Sequence, residues 1–133
     1  MTDTITVETT DRVGVFDVTT AVDDEIPSAV DRGVCTVFVQ HTTAGVVVNE
    51  AEDGLLEDIE ELLGELVAED AGYHHDRIDD NADAHLRSIL LGSTVTVPVR
   101  DGGLDLGSWQ SILLVEGDGP RSRSLSVTVV PSH

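Results

Sequence analysis

The chain has no lysine, one cysteine and only four aromatic residues (one Trp, one Tyr and two Phe) in 133 positions. The lone Cys35 excludes an intramolecular disulfide framework, and its place in the run Val34-Cys35-Thr36-Val37-Phe38-Val39 makes it a small core hydrophobe rather than a nucleophile. So few aromatics leave the core to Val, Leu, Ile and Ala and argue against a tight aromatic cage for a ligand. Cations are equally scarce: 7 arginines face 26 Asp and Glu, for a formal charge of −19. Such a field repels a phosphate backbone, so nucleic-acid binding is not expected. No apolar run approaches the roughly 20 residues that span a bilayer. The acidic, Thr-rich start also lacks a basic n-region and an apolar h-region, and the chain is expected to be cytoplasmic and free of the membrane. The acidic residues are dispersed rather than clustered, as in a halophilic surface kept soluble in concentrated salt.

What is present is enough for one core. Hydrophobic residues make up 40% of the chain, consistent with a single domain over residues 1–133. Alternating stretches predict an opening hairpin of Thr4–Glu8 and Val13–Thr19, and further strands at Val34–Gln40 and Gly45–Val48. Between the pairs, Asp23–Val30 with Pro27 and a following Gly33 reads as a short helix. Asp53–Val67 carries a 3.6-residue apolar stripe (Leu55, Leu56, Ile59, Leu62, Leu63, Leu66 and Val67) and is the best-defined helix. After an aperiodic loop, Glu69–Asp80, a second helix runs from an Asp80 or Asn81 cap to Leu91, stopped by Gly92. Three strands follow, Ser93–Val99, Gln110–Val115 and Ser124–Val130, separated by Asp101-Gly102-Gly103 and Gly117-Asp118-Gly119-Pro120 turns. The expected architecture is α+β: a seven-stranded, mostly antiparallel β-sandwich with two to three helices in the order ββαββααβββ.

The chemistry gathers around histidine. His41-Thr42-Thr43 joins two strands, His75 lies in the polar loop Tyr73-His74-His75-Asp76, and His85 lies on the following helix. Three imidazoles and an open position would suit a catalytic zinc ion. The competing reading of each is a hydrogen-bonded structural histidine, and the spacing matches none of the stock metal motifs. His74 reads as an exposed neighbour and His133 as a terminal residue without a role. Asp76 suits a carboxylate behind a ligand histidine, or plain acidic surface. Asn49-Glu50 closes the strand after His41, where Glu50 is a candidate general base or a helix cap. Ser108 and Gln110 flank the only tryptophan, Trp109, and are candidate substrate contacts. Arg121 and Arg123 follow the Gly117–Pro120 turn, either as solvated arginines or as an anion clamp.

Together, His41-Thr42-Thr43-Ala44, Asn49-Glu50, His75-Asp76, the His85 helix, Leu91-Gly92-Ser93, Pro98-Val99, Gly102 and Leu106-Gly107-Ser108-Trp109-Gln110 resemble the YjbQ family, also described as secondary thiamine-phosphate synthase enzymes. The resemblance runs from about Val34 to Val130 and departs from the family in having no lysine. It implies a homotrimeric seven-stranded sandwich and a transferase that condenses hydroxymethylpyrimidine diphosphate with thiazole phosphate, releasing pyrophosphate. On that implication His41, His75 and His85 are metal ligands and, with Glu50, the catalytic set. Asn49, Ser108, Gln110 and Arg121 would bind a small phosphorylated substrate, and the cofactor would be a divalent metal, zinc or, for the synthase reaction, magnesium. The alternatives are a metal-assisted hydrolase of a phosphorylated metabolite and a non-catalytic trimeric module that binds a metal or metabolite.

Overall fold

The computed structural model describes residues 1–132. Its elements are β1 (Thr2–Glu8), β2 (Gly14–Asp17), α1 (Thr19–Asp23), β3 (Gly33–Val39), β4 (Ala44–Asn49), α2 (Asp53–Leu66), α3 (Ala82–Leu91), β5 (Thr94–Arg100), β6 (Gly103–Leu104), β7 (Ser111–Glu116) and β8 (Ser122–Pro131), with a 3-10 turn at His74–Arg77. They form two antiparallel sheets, one ordered β1-β8-β3-β5-β6 and the other β2-β7-β4.

The alternation seen in the sequence is the alternation of these faces. Val37, Val39, Val97, Val99, Leu125, Val127 and Val129 point from the larger sheet into a core they share with Val46, Ile112 and Leu114 of the smaller one. In β7 the neighbours Leu113 and Val115 are buried as well. Both faces of that strand are covered, so it reads as a continuous apolar run. Helix α3 lies against β4: Ser88 Oγ donates to the Ala44 carbonyl at 2.9 Å, and Arg87 Nη2 donates to the Val67 carbonyl at 2.7 Å, just beyond α2. Gly45 permits this close approach, because a Cβ there would stand 2.8 Å from the Cβ of Leu91.

Several expectations need correction. Among the described residues there are eight strands, not seven; the addition is the two-residue β6, paired to β5 across the Asp101-Gly102 turn, where both residues hold positive φ (51° and 79°). That pairing is too short to leave a periodic signature. The opening hairpin does not form: β1 pairs with β8 and β2 with β7, in different sheets. Two alternating runs close in sequence look the same whether they pair together or pass from one sheet to the other. The first helix is Thr19–Asp23, not Asp23–Val30. Asp17 Oδ1 accepts from both the backbone N–H and the hydroxyl of Thr19 (3.0 and 2.6 Å) and starts the helix early. Pro27 disfavours helical geometry at the residue before it, so the rest of the segment is turns. In α2, Leu63 is buried and Val67 just beyond it is too, whereas Leu62 and Leu66 of the expected stripe face outward. Among the described residues no helix is long and apolar enough to cross a membrane. His133 lies outside the described residues.

Candidate functional site

His41, His75 and His85, from three separate elements, line one cleft of about 670 Å³ with Asn81, Asp118 and Arg121 among its walls. His41 sits where the chain leaves β3 for β4, crossing from the larger to the smaller sheet. His75 belongs to the 3-10 turn and His85 to α3. The fourth wall is the Gly117–Arg121 segment between β7 and β8.

Beneath the cleft lies a buried ion pair. Glu116 is fully buried and Arg123 is 2% exposed. The Glu116 carboxylate accepts from Arg123 Nε at 2.7 Å, from Arg123 Nη2, from Thr9 Oγ1 at 2.8 Å, and from the backbone N–H groups of Gly117 and Asp118, both at 2.9 Å. Burial by itself would raise the pKa of this carboxyl, but the hydrogen bonds and the arginine outweigh it and hold it below its ordinary range. Arg123 also donates to Thr43 Oγ1 at 2.8 Å. The pair therefore ties the His41-Thr42-Thr43 corner to the turn that carries Asp118 and Arg121. Sequence reasoning missed Glu116 and Thr9. The available signal was an acidic residue ending the apolar run Ile112–Val115, directly before a Gly-Asp-Gly-Pro turn.

For His41 and His75 the hydrogen bonds fix which ring nitrogen carries the proton. His41 Nε2 accepts from the Ser124 backbone N–H at 2.8 Å, so the neutral ring holds its proton on Nδ1. Burial, then the nearby Arg123, lower the His41 pKa against the raising effect of Glu116. His75 is set the opposite way. Asn81 Nδ2 donates to Asp118 Oδ2 at 2.8 Å, which leaves Asn81 Oδ1 to accept, and His75 Nε2 lies 3.1 Å from it. His75 Nε2 is thus the donor, and its Nδ1 lone pair is left over. Asp118 also accepts from Arg121 Nη2 at 3.0 Å. Burial pushes its pKa up, but the bonds from Asn81 and Arg121 prevail and keep it low.

This arrangement does not fit the expected metal. The His41 ring has one nitrogen accepting from the backbone and a proton on the other, so neither is open to a cation. The rings of His75 and His85 meet edge to face, with centroids 4.7 Å apart and planes at 78°. Among the described residues no group of three or more His, Cys, Asp or Glu is placed to hold a metal ion. Asp76 does not orient an imidazole; its Oδ1 accepts from the Ala82 N–H at 3.2 Å and caps α3. That replaces the expected cap, since the Asn81 side chain is turned toward His75 and Asp118.

The other candidates lie elsewhere. β4 meets β7 with Ala44 opposite Glu116 at the cleft end and Asn49 opposite Ser111 at the far end. Five residues at about 3.4 Å each separate the two ends by about 17 Å, so Asn49 and Glu50 do not reach the cleft of this chain. Asn49 Oδ1 instead accepts from the Glu50 N–H at 2.8 Å. Gln110 Oε1 accepts from the Gly107 N–H at 2.8 Å, closing the turn that bears the exposed Ser108 and Trp109. Of the expected substrate contacts only Arg121 lines the cleft. Arg123, the other half of the expected clamp, also lines it but serves as the buried anchor.

Residues 3–132 match the model of the family described as "UPF0047 protein YjbQ-like". A UPF0047 protein from Archaeoglobus fulgidus is 49% identical over 125 residues, covering 92% of this chain and 96% of its own. Among solved structures, a YbjQ-like protein of unknown function from Sulfolobus solfataricus P2 superimposes with a TM-score of 0.95 at 40% identity, covering 99% of this chain and 97% of that one. A hypothetical protein from Aeropyrum pernix K1 gives a TM-score of 0.95 at 41% identity, with 99% of each chain covered. These descriptions name no thiamine-phosphate synthase, hydrolase, or metal or metabolite module, and they overturn the function expected from the resemblance. The family assignment itself stands on both sequence and fold: the chain belongs to the YjbQ-like UPF0047 family.

Proposed function

We propose that the cleft is a metal-free acid–base site that takes a small anionic molecule. Carrying the reading are the opposed tautomers of two imidazoles on one cleft: His41 is held neutral with Nδ1–H to donate, and His75 is left with an Nδ1 lone pair to accept. A donor and an acceptor of this kind polarise a substrate oxygen and take up a proton in the same step. Arg121, about half exposed on the cleft wall, is the group for the anion. Arg121 is matched by Asp118 and Arg123 by the buried Glu116, which leaves Asp79 as the excess charge of the lining in a chain of charge −19. With a single carboxylate in excess, the cleft is a place where an anion meets less repulsion than elsewhere on the surface.

Long-range proton–nitrogen NMR at pH 7.5 reads the tautomers directly. The expected result is a protonated Nδ1 in His41 and a protonated Nε2 in His75, with resonances of both rings shifting when inorganic phosphate is titrated in and Arg121→Met weakening that response. Incubation in D2O with a panel of small carboxylates and phosphates then tests catalysis, with deuterium incorporation at a carbon lost in His75→Gln. Reversed tautomers, or no incorporation into any compound of the panel, would overturn the reading.

A further inference from the structure

The polar cleft is not isolated. A second cleft of about 700 Å³ shares Gln40, His41, Thr42 and His85 with it and continues past Phe38 and Ile89. Phe38 is 45% exposed and Ile89 is 76% exposed, and both large side chains stand on its wall. Phe38 projects from the outer face of the larger sheet, and Ile89 comes from α3 one turn beyond His85. The floor between them is Gly92 and Ser93, where the chain leaves α3 for β5. Gly92 has a φ of 88°, the left-handed geometry that ends the helix and lets the chain turn there. His41 and His85 are therefore not the end wall of a pocket but a partition, with polar and charged groups of both signs on one side and mostly apolar groups on the other.

Ligand sites combine a few placed polar groups with apolar walls, and volumes of about 300 to 1,000 Å³ are usual. The two halves here divide that work. We infer that the ligand is an amphipathic small molecule, with an anionic head on the His41, His75 and Arg121 side and a flat apolar or aromatic body lying between Phe38 and Ile89. The inference rests on the acid–base reading above for the position of the head group. It adds the body and its direction, along the partition toward Gly92 and Ser93. Two features favour this occupant: the apolar wall is continuous with the one that bears Arg121, and the junction of Gln40, His41, Thr42 and His85 carries no carboxylate to repel an anion. Ser88, buried with its hydroxyl given to the Ala44 carbonyl, lines this half without offering a free donor, which leaves it predominantly apolar.

Calorimetry with two probes separates the halves. Phenyl phosphate should bind the wild-type protein about tenfold or more tighter than inorganic phosphate, the gain expected when a ring's apolar area leaves water. Ile89→Ser, at an exposed position that does not support the core, should cancel most of that gain while leaving inorganic phosphate binding unchanged. Phe38→Ser should do the same, and Arg121→Met should weaken both probes. Equal affinity for the two probes, with inorganic phosphate still bound, would overturn the apolar half and leave the acid–base reading intact. Binding of neither probe would defeat the acid–base reading together with this one. If Ile89→Ser instead changes the oligomeric state by sedimentation and leaves phenyl phosphate binding untouched, the face belongs to a second copy of the chain and the inference is wrong.

Discussion

Glu116→Gln is the substitution that most directly tests the foundation of the cleft. The carboxylate accepts hydrogen bonds from Arg123, Thr9 and two backbone N–H groups, and both it and Arg123 are buried. A glutamine amide loses the charge and replaces one acceptor with a donor, which must face either the guanidinium or the Gly117 and Asp118 N–H groups. Arg123 is left as an uncompensated buried cation, a change that costs about 3–5 kcal/mol. For a chain of this length 1 kcal/mol corresponds to roughly 3–6 °C in Tm, so the expected fall is about 10–30 °C. Thermal unfolding followed by circular dichroism at fixed salt measures it. The partner variant Arg123→Met should be comparably unstable, and the double variant should recover much of the loss, because neither charge is then orphaned. A Tm for Glu116→Gln within a few degrees of wild type, or a double variant worse than the sum of the two, would refute the argument. The sign with pH follows from the lowered Glu116 pKa. Its contribution is complete above the unfolded value of 4.5 and is lost as the pH falls through the lower folded value.

The same logic applies to His41. Its pKa is lowered from 6.5, so its imidazole should titrate below that value by NMR, and its contribution to stability, complete above 6.5, should be lost as the pH falls through the lower folded midpoint. A midpoint above 6.5 would contradict burial and the nearby Arg123 as the groups that set it. Dialysis against a chelator should change neither the Tm nor the response to inorganic phosphate; a clear drop in either would reinstate a cation at the histidines. Gly45→Ala should cost about 1–3 kcal/mol by overpacking, seen as a lower denaturant midpoint, since its Cβ would meet Leu91 Cβ at 2.8 Å and the Gly92 carbonyl at 2.9 Å. No loss would mean that α3 shifts freely on β4.

Much of the architecture was legible in local pattern. The 3.6-residue stripe located α2, and Asn81 and Gly92 bracketed α3, because helix periodicity and end signals are contained within a dozen residues. The strands of the second half were found to within a few residues for the same reason. Pairing was less accessible: β1 meets β8 across more than a hundred residues of chain, and no local rule separates that from a hairpin with β2. The site divides in the same way. His41, His75, His85 and Arg121 stood out as unusual residue types and do share a cleft, whereas Asn49, Glu50, Ser108 and Gln110 stood out equally and do not line it. Their motifs carry no record of which end of the small sheet they occupy.

The sequence by itself determined the family, the acidic surface, the aliphatic core and the three histidines on their separate elements, all properties of composition or of short segments. Only the tertiary structure decided what the histidines are. The Ser124 N–H that occupies His41 lies 83 residues away, and the Asp118 that orients Asn81 toward His75 lies 37 residues from Asn81. The proton position on an imidazole is set by the partner of its other nitrogen, and folding alone supplies that partner.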